Sequence, residues 1–299
     1  MFEAGDIPAG ERERMARASS WFRELQGRIC DRFAELEALK RGEGSPVRPE
    51  FAETRRRSGQ GDDGGGGFMA RFRNGAVFEK AGINFSEVYG VLDPASCQSL
   101  TSRKGLELDA DDGRFWASGL SLVCHMQNPH VPAVHLNTRM FWTPVASWFG
   151  GGTDLNPCIE YEEDTRQFHA VLEACCNRHD PAYYPEFSRW ADRYFRIRHR
   201  GRARGVGGVF LDDLDTGSWD DDFAFIRELG EAFIDAWLPI VERRQDTAWS
   251  DDERETQLIH RGHYVEFNLI YDRGTRFGLE TGHDPDAVLM SLPPLARWP

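Results

Sequence analysis

The stretch VHLNTRMFW, residues 134–142, combines the alternation of a β-strand with an unusual set of polar side chains. Successive side chains of a strand point to opposite faces, so His135, Asn137 and Arg139 should share one face. An imidazole can transfer protons near neutral pH, and a guanidinium can bind a carboxylate through two parallel hydrogen bonds. This row therefore favours recognition of a carboxylate, with a histidine beside it for proton transfer.

A second run, SLVCH, places Ser121 and His125 on one face of its own predicted strand. Only the loop-like segment MQNPHVPAV separates His125 from His135, so we expect the two strands to be neighbours and to share one polar surface. A solvated sheet face is the alternative, and the pattern alone does not separate the two. Solvated faces are usually rich in Lys, Glu and Thr, however, whereas this one carries His, Asn and Arg.

Other polar residues could also act in chemistry, although a structural role explains each of them when it is taken singly. The acids could cap helices or lie in loops, an Asp–Arg pair is common in turns, and the histidines lie near apolar helical stripes. These residues are Asp154, Asp212, Asp213, His169, His199, Asp272 and Arg273.

The composition predicts a soluble globular protein and disfavours several classes of function. The chain has 299 residues and a net charge of −13, and such a surface repels nucleic acid phosphates. No apolar run is long enough to span a bilayer, and the N-terminus lacks the apolar core of a secretory signal, so we expect a cytoplasmic protein. Six cysteines without CxxC spacing predict buried thiols rather than disulfides or a zinc site.

Cofactor-binding motifs are missing from the sequence. It contains no GxGxxG at a strand-to-helix junction, no phosphate-binding loop, no HExxH and no GxSxG. The glycine-rich segments GGGG (64–67) and FGGGTD (149–154) lack the surroundings of a phosphate loop, so we predict flexible turns there. No nucleotide cofactor is therefore expected.

Hydrophobic periodicity outlines the first part of the chain and its helical middle. Residues 11–40 predict an amphipathic helix, and residues 42–67 predict a mobile acidic and glycine-rich loop. Short β-like runs dominate from Phe68 to Trp142. Helical stripes follow in residues 185–200 and 220–244, and the segment GVGGVFLDDLD between them is a predicted buried strand.

The C-terminal segment HYVEFNLIYDRGTRFGLETG predicts a β-hairpin that turns near Asp272–Thr275. Strands at both ends would then enclose the helical middle. This order predicts an α+β fold with a mostly antiparallel sheet, in a single domain over residues 1–299 that includes the N-terminal helix and loop of residues 1–67.

Six motifs, in order from about Gly64 to Trp298, resemble those of the oxygen-dependent coproporphyrinogen III oxidases. They are VFEKAGINFSEVYG, SLVCHMQNPHVPAVHLNTRMF, WFGGGTDLNP, RGVGGVFLDDLD, RGHYVEFNLIYDRGTRFGLETG and VLMSLPPLARW. The resemblance implies a homodimer that oxidatively decarboxylates two propionates of coproporphyrinogen III to vinyl groups, giving protoporphyrinogen IX in haem biosynthesis. It further implies dioxygen as electron acceptor, no organic cofactor, and a large flat antiparallel sheet with helices on both faces.

The resemblance also implies roles for individual residues. His135 matches the proton donor, and Asp272 and Arg273 match further catalytic residues. The implied substrate contacts are Ser121, Asn137, Thr138, Arg139, Asp154, Gly282, His283 and Asp284. A divalent metal, described in bacterial members, would be held by His125, His135, His169 and His199.

Two departures from the family pattern bear on the site. The family usually has Gly-Gly-Arg or Gly-Ser-Arg where this chain has Gly282-His283-Asp284, so we expect one arginine contact to be lost or replaced by His283. The chain ends at Pro299, where relatives continue, and we expect this to weaken the dimer or the site. A tetrapyrrole-binding protein with reduced turnover and a metal-dependent oxygenase that uses His125 and His135 therefore stay open as alternatives.

Overall fold

The protein is described by a computed structural model that covers residues 7–42, 47–56, 64–92, 94, 97–98, 100, 112–280 and 282–299. Its centre is a seven-stranded sheet in the order β1-β2-β3-β4-β5-β6-β9, in which every neighbouring pair is antiparallel. The strands are β1 (Glu50–Arg55), β2 (Gly65–Arg73), β3 (Phe78–Val91), β4 (Arg114–Met126), β5 (Ala133–Thr143), β6 (Ala146–Asn156) and β9 (Gly208–Leu214). The predicted α+β class is confirmed.

Helices cover both faces of this sheet. They are α1 (Ala9–Arg41), α2 (Glu162–His179), α3 (Tyr183–Tyr194), α4 (Trp219–Arg244), α5 (Asp251–Ile270), α6 (Arg273–Glu280) and α7 (Pro285–Val288). Two short strands, β7 (Arg196–Ile197) and β8 (Arg202–Ala203), form a separate hairpin. Among the helices described, none is long and apolar enough to cross a membrane.

α1 and α4 cover one face of the sheet with apolar side chains. Phe22, Leu25 and Ile29 of α1 are fully buried at the three- and four-residue spacing that predicted this helix. They belong to the same core as Leu120 and Leu122 of β4. Full burial of a side chain of this size contributes about 1.5–3 kcal/mol. The inward-facing residues of the central strands are therefore fixed by this core.

The opposite face carries a thinner layer of helices. Gln257 and Arg261 of α5 donate hydrogen bonds to the Met126 carbonyl oxygen at 3.0 and 2.9 Å, which seats α5 over the end of β4. Further along the chain, Ala287 and Met290 pack against β2. The space left between these C-terminal elements and the sheet is a cleft.

The prediction of a loop at residues 42–67 is wrong, because β1 and the start of β2 lie in this segment. Residues 43–46 and 57–63 of the predicted loop lie outside the described residues. The glycine-rich segments expected to be turns lie in strands β2 and β6 instead. A Cβ at Gly67 would come within 1.9 Å of the Phe85 carbonyl oxygen. Close contact between strands, rather than a turn, therefore explains this glycine.

The predicted C-terminal hairpin is also wrong, because α5 and α6 occupy that segment. Ser250 and Glu253 form a capping box that starts α5 upstream of the apolar run. Gln257, Arg261, Tyr264 and Asn268 are then buried at the three- and four-residue spacing of one helix face, although the residues around Tyr264 are typical of strands. The helical stripe predicted at residues 185–200 ends early too, at the end of α3, and the strand β7 follows.

Candidate active site

The cleft between the sheet and the C-terminal helices has a volume of about 770 Å³. Its floor is the polar face of strands β3, β4 and β5. Ser121 lies directly opposite Asn137 in the register of β4 and β5, and Asn84 of β3 lies opposite Ser121. His135 and Arg139 flank this row and line the same cleft. The predicted shared face of His135, Asn137 and Arg139 is confirmed.

Glycines in the neighbouring strands leave room on this floor for the Arg139 side chain. Gly150 of β6 lies opposite Arg139, and a Cβ there would come within 3.0 Å of the Arg139 Nη2. The guanidinium therefore lies flat over the backbone of β6. Gly119, opposite Arg139 on its other side, belongs to the same face. The flexible turn predicted at FGGGTD is thus a strand whose glycines open the cleft above the sheet.

His135 is held by the carboxylate opposite it in the sheet. Asp154 of β6 pairs in register with His135, and its Oδ1 lies 3.0 Å from the His135 Nδ1. A carboxylate only accepts hydrogen bonds when ionised, so Nδ1 carries the hydrogen. Nε2 is then the nitrogen that can exchange a proton. No described protein group forms a hydrogen bond with Nε2.

Asp154 is in turn held by a fully buried arginine. Nε and Nη2 of Arg204 donate to the two carboxylate oxygens at 2.9 and 2.6 Å, and Asn156 donates at 2.8 Å. Burial alone would raise the pKa of Asp154, but the charge of Arg204 and the hydrogen bond from His135 lower it well below its usual range. Asp154 is therefore ionised at neutral pH and orients His135.

Aromatic rings surround the same arginine. The guanidinium carbon of Arg204 lies 4.4 Å from the Phe195 ring centroid, 4.7 Å from Tyr264 and 4.6 Å from Phe267. Such contacts stabilise a cation that has little access to water. They also link β6 to α5, which carries Tyr264 and Phe267.

A second group of charges lies at the other end of the row. Asp212 of β9 binds Arg139 through one oxygen, and its other oxygen lies 2.9 Å from Arg273 Nη2. Arg139 also donates to the Asn137 side-chain oxygen at 2.6 Å. Asp212 is almost fully buried, whereas Arg273 is about half exposed. One carboxylate therefore orders two arginines beside the cleft before any ligand binds.

Asp272 lies at the start of α6 with both oxygens occupied. Oδ2 accepts from the Thr275 backbone at 2.7 Å, which is helix capping, and Oδ1 accepts from the Tyr194 hydroxyl at 2.9 Å. Burial and this carboxylate raise the pKa of Tyr194, so it stays a neutral donor. Asp272 and Arg273 line the cleft as predicted, but on a helix rather than at a hairpin turn.

The segment Gly282-His283-Asp284 follows α6, and His283 and Asp284 line the cleft. Burial and the nearby charge of Arg56 lower the pKa of His283 to about 4, so the imidazole is neutral at pH 7. It therefore does not replace the charge of an arginine. Asp284 caps α7 by accepting from the Asp286 backbone at 2.9 Å, and Gly282 has φ +78°, which favours glycine.

Three of the predicted assignments do not agree with this geometry. Asp154, expected to contact the substrate, is fully buried and binds Arg204 and His135 instead of lining the cleft. Thr138 alternates to the opposite face of β5 and is fully buried there, so its side chain does not reach the cleft. The four histidines predicted to hold a metal have separate partners: the Ser291 carbonyl for His125, Asp154 for His135, Tyr184 and the Val206 carbonyl for His169, and Tyr271 and Glu266 for His199. Over the described ranges, no group of three or more His, Cys, Asp or Glu side chains could hold a metal ion. These histidines therefore do not fit a four-histidine site within one chain.

Several cleft residues are not among those predicted from the sequence. They are Arg56, Asn84, Tyr194, Arg204, Tyr264 and Asn268, and the sequence favours a structural role for Asp212, which also lines the cleft. Arg204 belongs to the basic run RYFRIRHRGRARG, whose cationic density in an acidic chain was a usable signal. Tyr264 and Asn268 lie in a segment that the sequence predicts as strand. This wrong prediction gave no reason to place them beside the cleft.

The lining of the cleft is basic although the chain is acidic overall. Six arginines and four carboxylates line it: Arg55, Arg56, Arg139, Arg204, Arg273 and Arg276, with Asp212, Asp272, Glu280 and Asp284. Charged groups that face a cavity of low dielectric act more strongly than those on an open surface. The cleft therefore suits an anionic ligand with several carboxylates.

Asp154→Asn should destabilise the protein by about 3–5 kcal/mol, because it leaves the Arg204 charge buried without its partner. Urea denaturation followed by circular dichroism measures this. Asp31→Asn is the matched control: Asp31 pairs with Arg48 at 2.8 Å with both side chains exposed, and should cost less than about 1 kcal/mol. Equal losses in the two variants would contradict the role of the buried pair.

The chain is similar to known proteins over most of its length. A model of the family described as coproporphyrinogen III oxidase matches residues 17–299. The oxygen-dependent coproporphyrinogen-III oxidase of Rickettsia bellii is 43% identical over 281 residues, covering 94% of this chain and 96% of the relative. The enzyme of the same name from Drosophila melanogaster is 46% identical over 242 residues, covering 79% and 62%. This chain belongs to the coproporphyrinogen III oxidase family.

Proposed function

We propose that this protein is an oxygen-dependent coproporphyrinogen III oxidase of haem biosynthesis, which converts two propionates of coproporphyrinogen III into vinyl groups to give protoporphyrinogen IX. The observation that carries the proposal is the row His135–Asn137–Arg139 on the floor of an arginine-lined cleft. Family membership and the names of the relatives support the same reaction. The reaction needs dioxygen and no organic cofactor.

The charges of the cleft match the substrate. Coproporphyrinogen III carries four carboxylates, and a protein with net charge −13 must offset its own repulsion locally. Arg139 and Arg273 are ordered by Asp212 and can each turn donors toward a propionate. We assign Ser121 and Asn137 to polar contacts on the floor. Asp272 Oδ1 accepts one hydrogen bond, from Tyr194, and its second lone pair can accept from a pyrrole N–H group.

Proton balance assigns a task to His135. Each propionate that becomes a vinyl group releases carbon dioxide, one proton and two electrons. Dioxygen that accepts these two electrons needs two protons to leave as hydrogen peroxide, so a second proton must come through the protein. His135, oriented by Asp154, is placed to take up this proton at Nε2 and pass it on. The buried Arg204 keeps Asp154 ionised and so keeps this tautomer in place.

Product analysis tests the function itself. The purified protein is mixed with reduced tetrapyrrole under air and under nitrogen, with and without a chelator. The oxidase gives vinyl product and peroxide only under air. A tetrapyrrole-binding protein binds without turnover in either gas, and a metal-dependent oxygenase loses turnover with the chelator and regains it with added metal. The four candidate histidines do not fit one metal site, so the proposed reaction has no step that depends on them as ligands.

Assembly and location complete the proposal. We propose a homodimer joined through residues from about Tyr264 onward, supported by exposed apolar side chains at Leu269, Ile270 and Leu295. Sedimentation velocity at micromolar concentration tests the dimer.

We also propose a cytoplasmic location. It is supported by the buried thiols of Cys30 and Cys124, whose pKa values burial raises, as suits a reducing compartment.

His135→Ala should lower turnover by about 100-fold or more while substrate affinity stays nearly intact, because a positioned acid contributes to the chemical step. Folding should persist, since Asp154 keeps Arg204 and Asn156 as partners. Anaerobic binding and oxygen consumption separate affinity from turnover. His179→Ala is the control, because His179 also pairs with a carboxylate at similar exposure but outside the cleft. Full turnover in folded His135→Ala would remove the assignment.

Arg139→Ala should weaken substrate binding by about 1.5–3 kcal/mol, the scale of a hydrogen bond to a charged group. Asp212 stays paired with Arg273 in this variant, so the fold should be retained. Anaerobic equilibrium titration with the reduced tetrapyrrole measures the loss. Arg166→Ala, which removes an exposed arginine of α2, should bind normally. Unchanged affinity in Arg139→Ala would show that this guanidinium does not contact the substrate.

A further inference from the structure

Two buried hydrogen-bond donors in the cleft have no assigned role. The Tyr264 hydroxyl and the Asn268 Nδ2 are buried and have no hydrogen-bond partner among the described protein groups. Both residues line the cleft, and their exposed fractions are 2% and 3%. An unpaired buried donor costs about 1–3 kcal/mol, so its presence calls for an explanation. The mechanism proposed above does not use either group.

The orientation of both donors is fixed by their neighbours. Asn268 Oδ1 accepts from Arg204 Nη1 at 3.3 Å, so the amide nitrogen points away from that guanidinium. Tyr264 packs edge-on against the His125 ring, with centroids 5.1 Å apart. The side chain of Asn268 approaches the Tyr264 oxygen and lowers the pKa of Tyr264. Burial dominates and raises that pKa to about 12, so the hydroxyl keeps its hydrogen.

The surroundings of the two donors are electrically balanced. The charge of Arg204, the nearest cation, is already compensated by Asp154, which accepts two hydrogen bonds from it. A permanent carboxylate would find little uncompensated positive charge here, whereas Arg139 and Arg273 lie in the same cleft. Val123, directly opposite His135 in the sheet, adds apolar surface. Gly82 of β3 lies opposite Val123 on its other side, and Met290 packs over this glycine. Such a site suits a small neutral molecule that acquires charge during the reaction.

We propose that Tyr264 and Asn268 form the site at which dioxygen is reduced, and that their hydrogens stabilise the hydroperoxide anion as it forms. The inference rests on the proposed function and names a site within it. The propionate side chain loses carbon dioxide through cleavage of its C–C bond, and gives up one hydrogen from the carbon attached to the pyrrole. Dioxygen takes the two electrons and that proton to become hydroperoxide, and a second proton through His135 completes hydrogen peroxide.

The resting state of the two donors follows from this role. Dioxygen accepts hydrogen bonds poorly, so donors aimed at it have little to bind until charge develops. Donors that are fixed before the reaction and find their acceptor only in the transition state accelerate it, because they need no reorganisation. Their unpaired hydrogens lower the stability of the resting protein and raise the rate of oxygen reduction.

Tyr264→Phe tests the site, because it removes the hydroxyl and keeps the ring against Arg204 and His125. We expect kcat/KM for dioxygen to fall about 10-fold or more, on the scale of a lost oxyanion donor. KM for the tetrapyrrole should change less than about twofold. The midpoint of urea unfolding should stay equal or rise, since a buried unpaired hydroxyl is removed. Tyr184→Phe, which removes a hydroxyl bound to His169 outside the cleft, is the matched control.

Asn268→Asp is the second variant, because it keeps the acceptor for Arg204 and loses the amide hydrogens. We expect an equal or larger fall in kcat/KM for dioxygen, since the added negative charge repels hydroperoxide. A raised KM for the tetrapyrrole with normal oxygen dependence would overturn the proposal in favour of a carboxylate subsite. Unchanged oxygen dependence in both folded variants would also overturn it. If the unaltered protein consumes no oxygen with the reduced tetrapyrrole, the proposed function itself fails.

Discussion

The geometry of the cleft depends on the buried ion pair between Asp154 and Arg204. A charge buried without its partner costs several kcal/mol, so the two side chains must stay together. Asp154 belongs to β6, Arg204 follows β8, and the rings of Tyr264 and Phe267 bring α5 against the guanidinium. One electrostatic contact therefore fixes three separate elements relative to each other. The Asp154 carboxylate also accepts a hydrogen bond from His135. The contact that holds the three elements together therefore also sets the orientation of His135.

The sheet divides the remaining tasks between its two faces. On the α1 side, large apolar residues pack at the density of a protein core, which leaves little freedom for the strands to move. On the cleft side, glycines and small polar residues leave room above the strands, and Arg139 lies over Gly150. A rigid floor is what positioning requires, because small errors in the placement of reacting groups cost large factors in rate. The stability of the hidden face thus supports the function of the open one.

The sequence predicted the site where its signal was local and failed where it was not. Strand alternation alone placed His135, Asn137 and Arg139 on one face, because side-chain direction in a strand depends only on parity. The C-terminal helices were not predicted, because the aromatic and β-branched residues around Tyr264 are typical of strands. The Ser250 cap, which indicates a helix, lies well upstream of them. The pairing of Asp154 with Arg204 joins residues 50 positions apart, and no local pattern indicates it. Residues from those elements were therefore missed or given structural roles.

Charge compensation inside the cleft explains how an acidic protein can host a polyanion. Asp212 shares its carboxylate between Arg139 and Arg273, which orders both side chains before the ligand arrives and removes part of the entropy that binding would otherwise cost. It also lowers the net positive charge that a substrate carboxylate meets. At the other end, Asp154 compensates Arg204 more completely, because both groups are buried. The cleft thus has one end suited to permanent anions and one suited to charge that appears only during the reaction, with His135 beside the second.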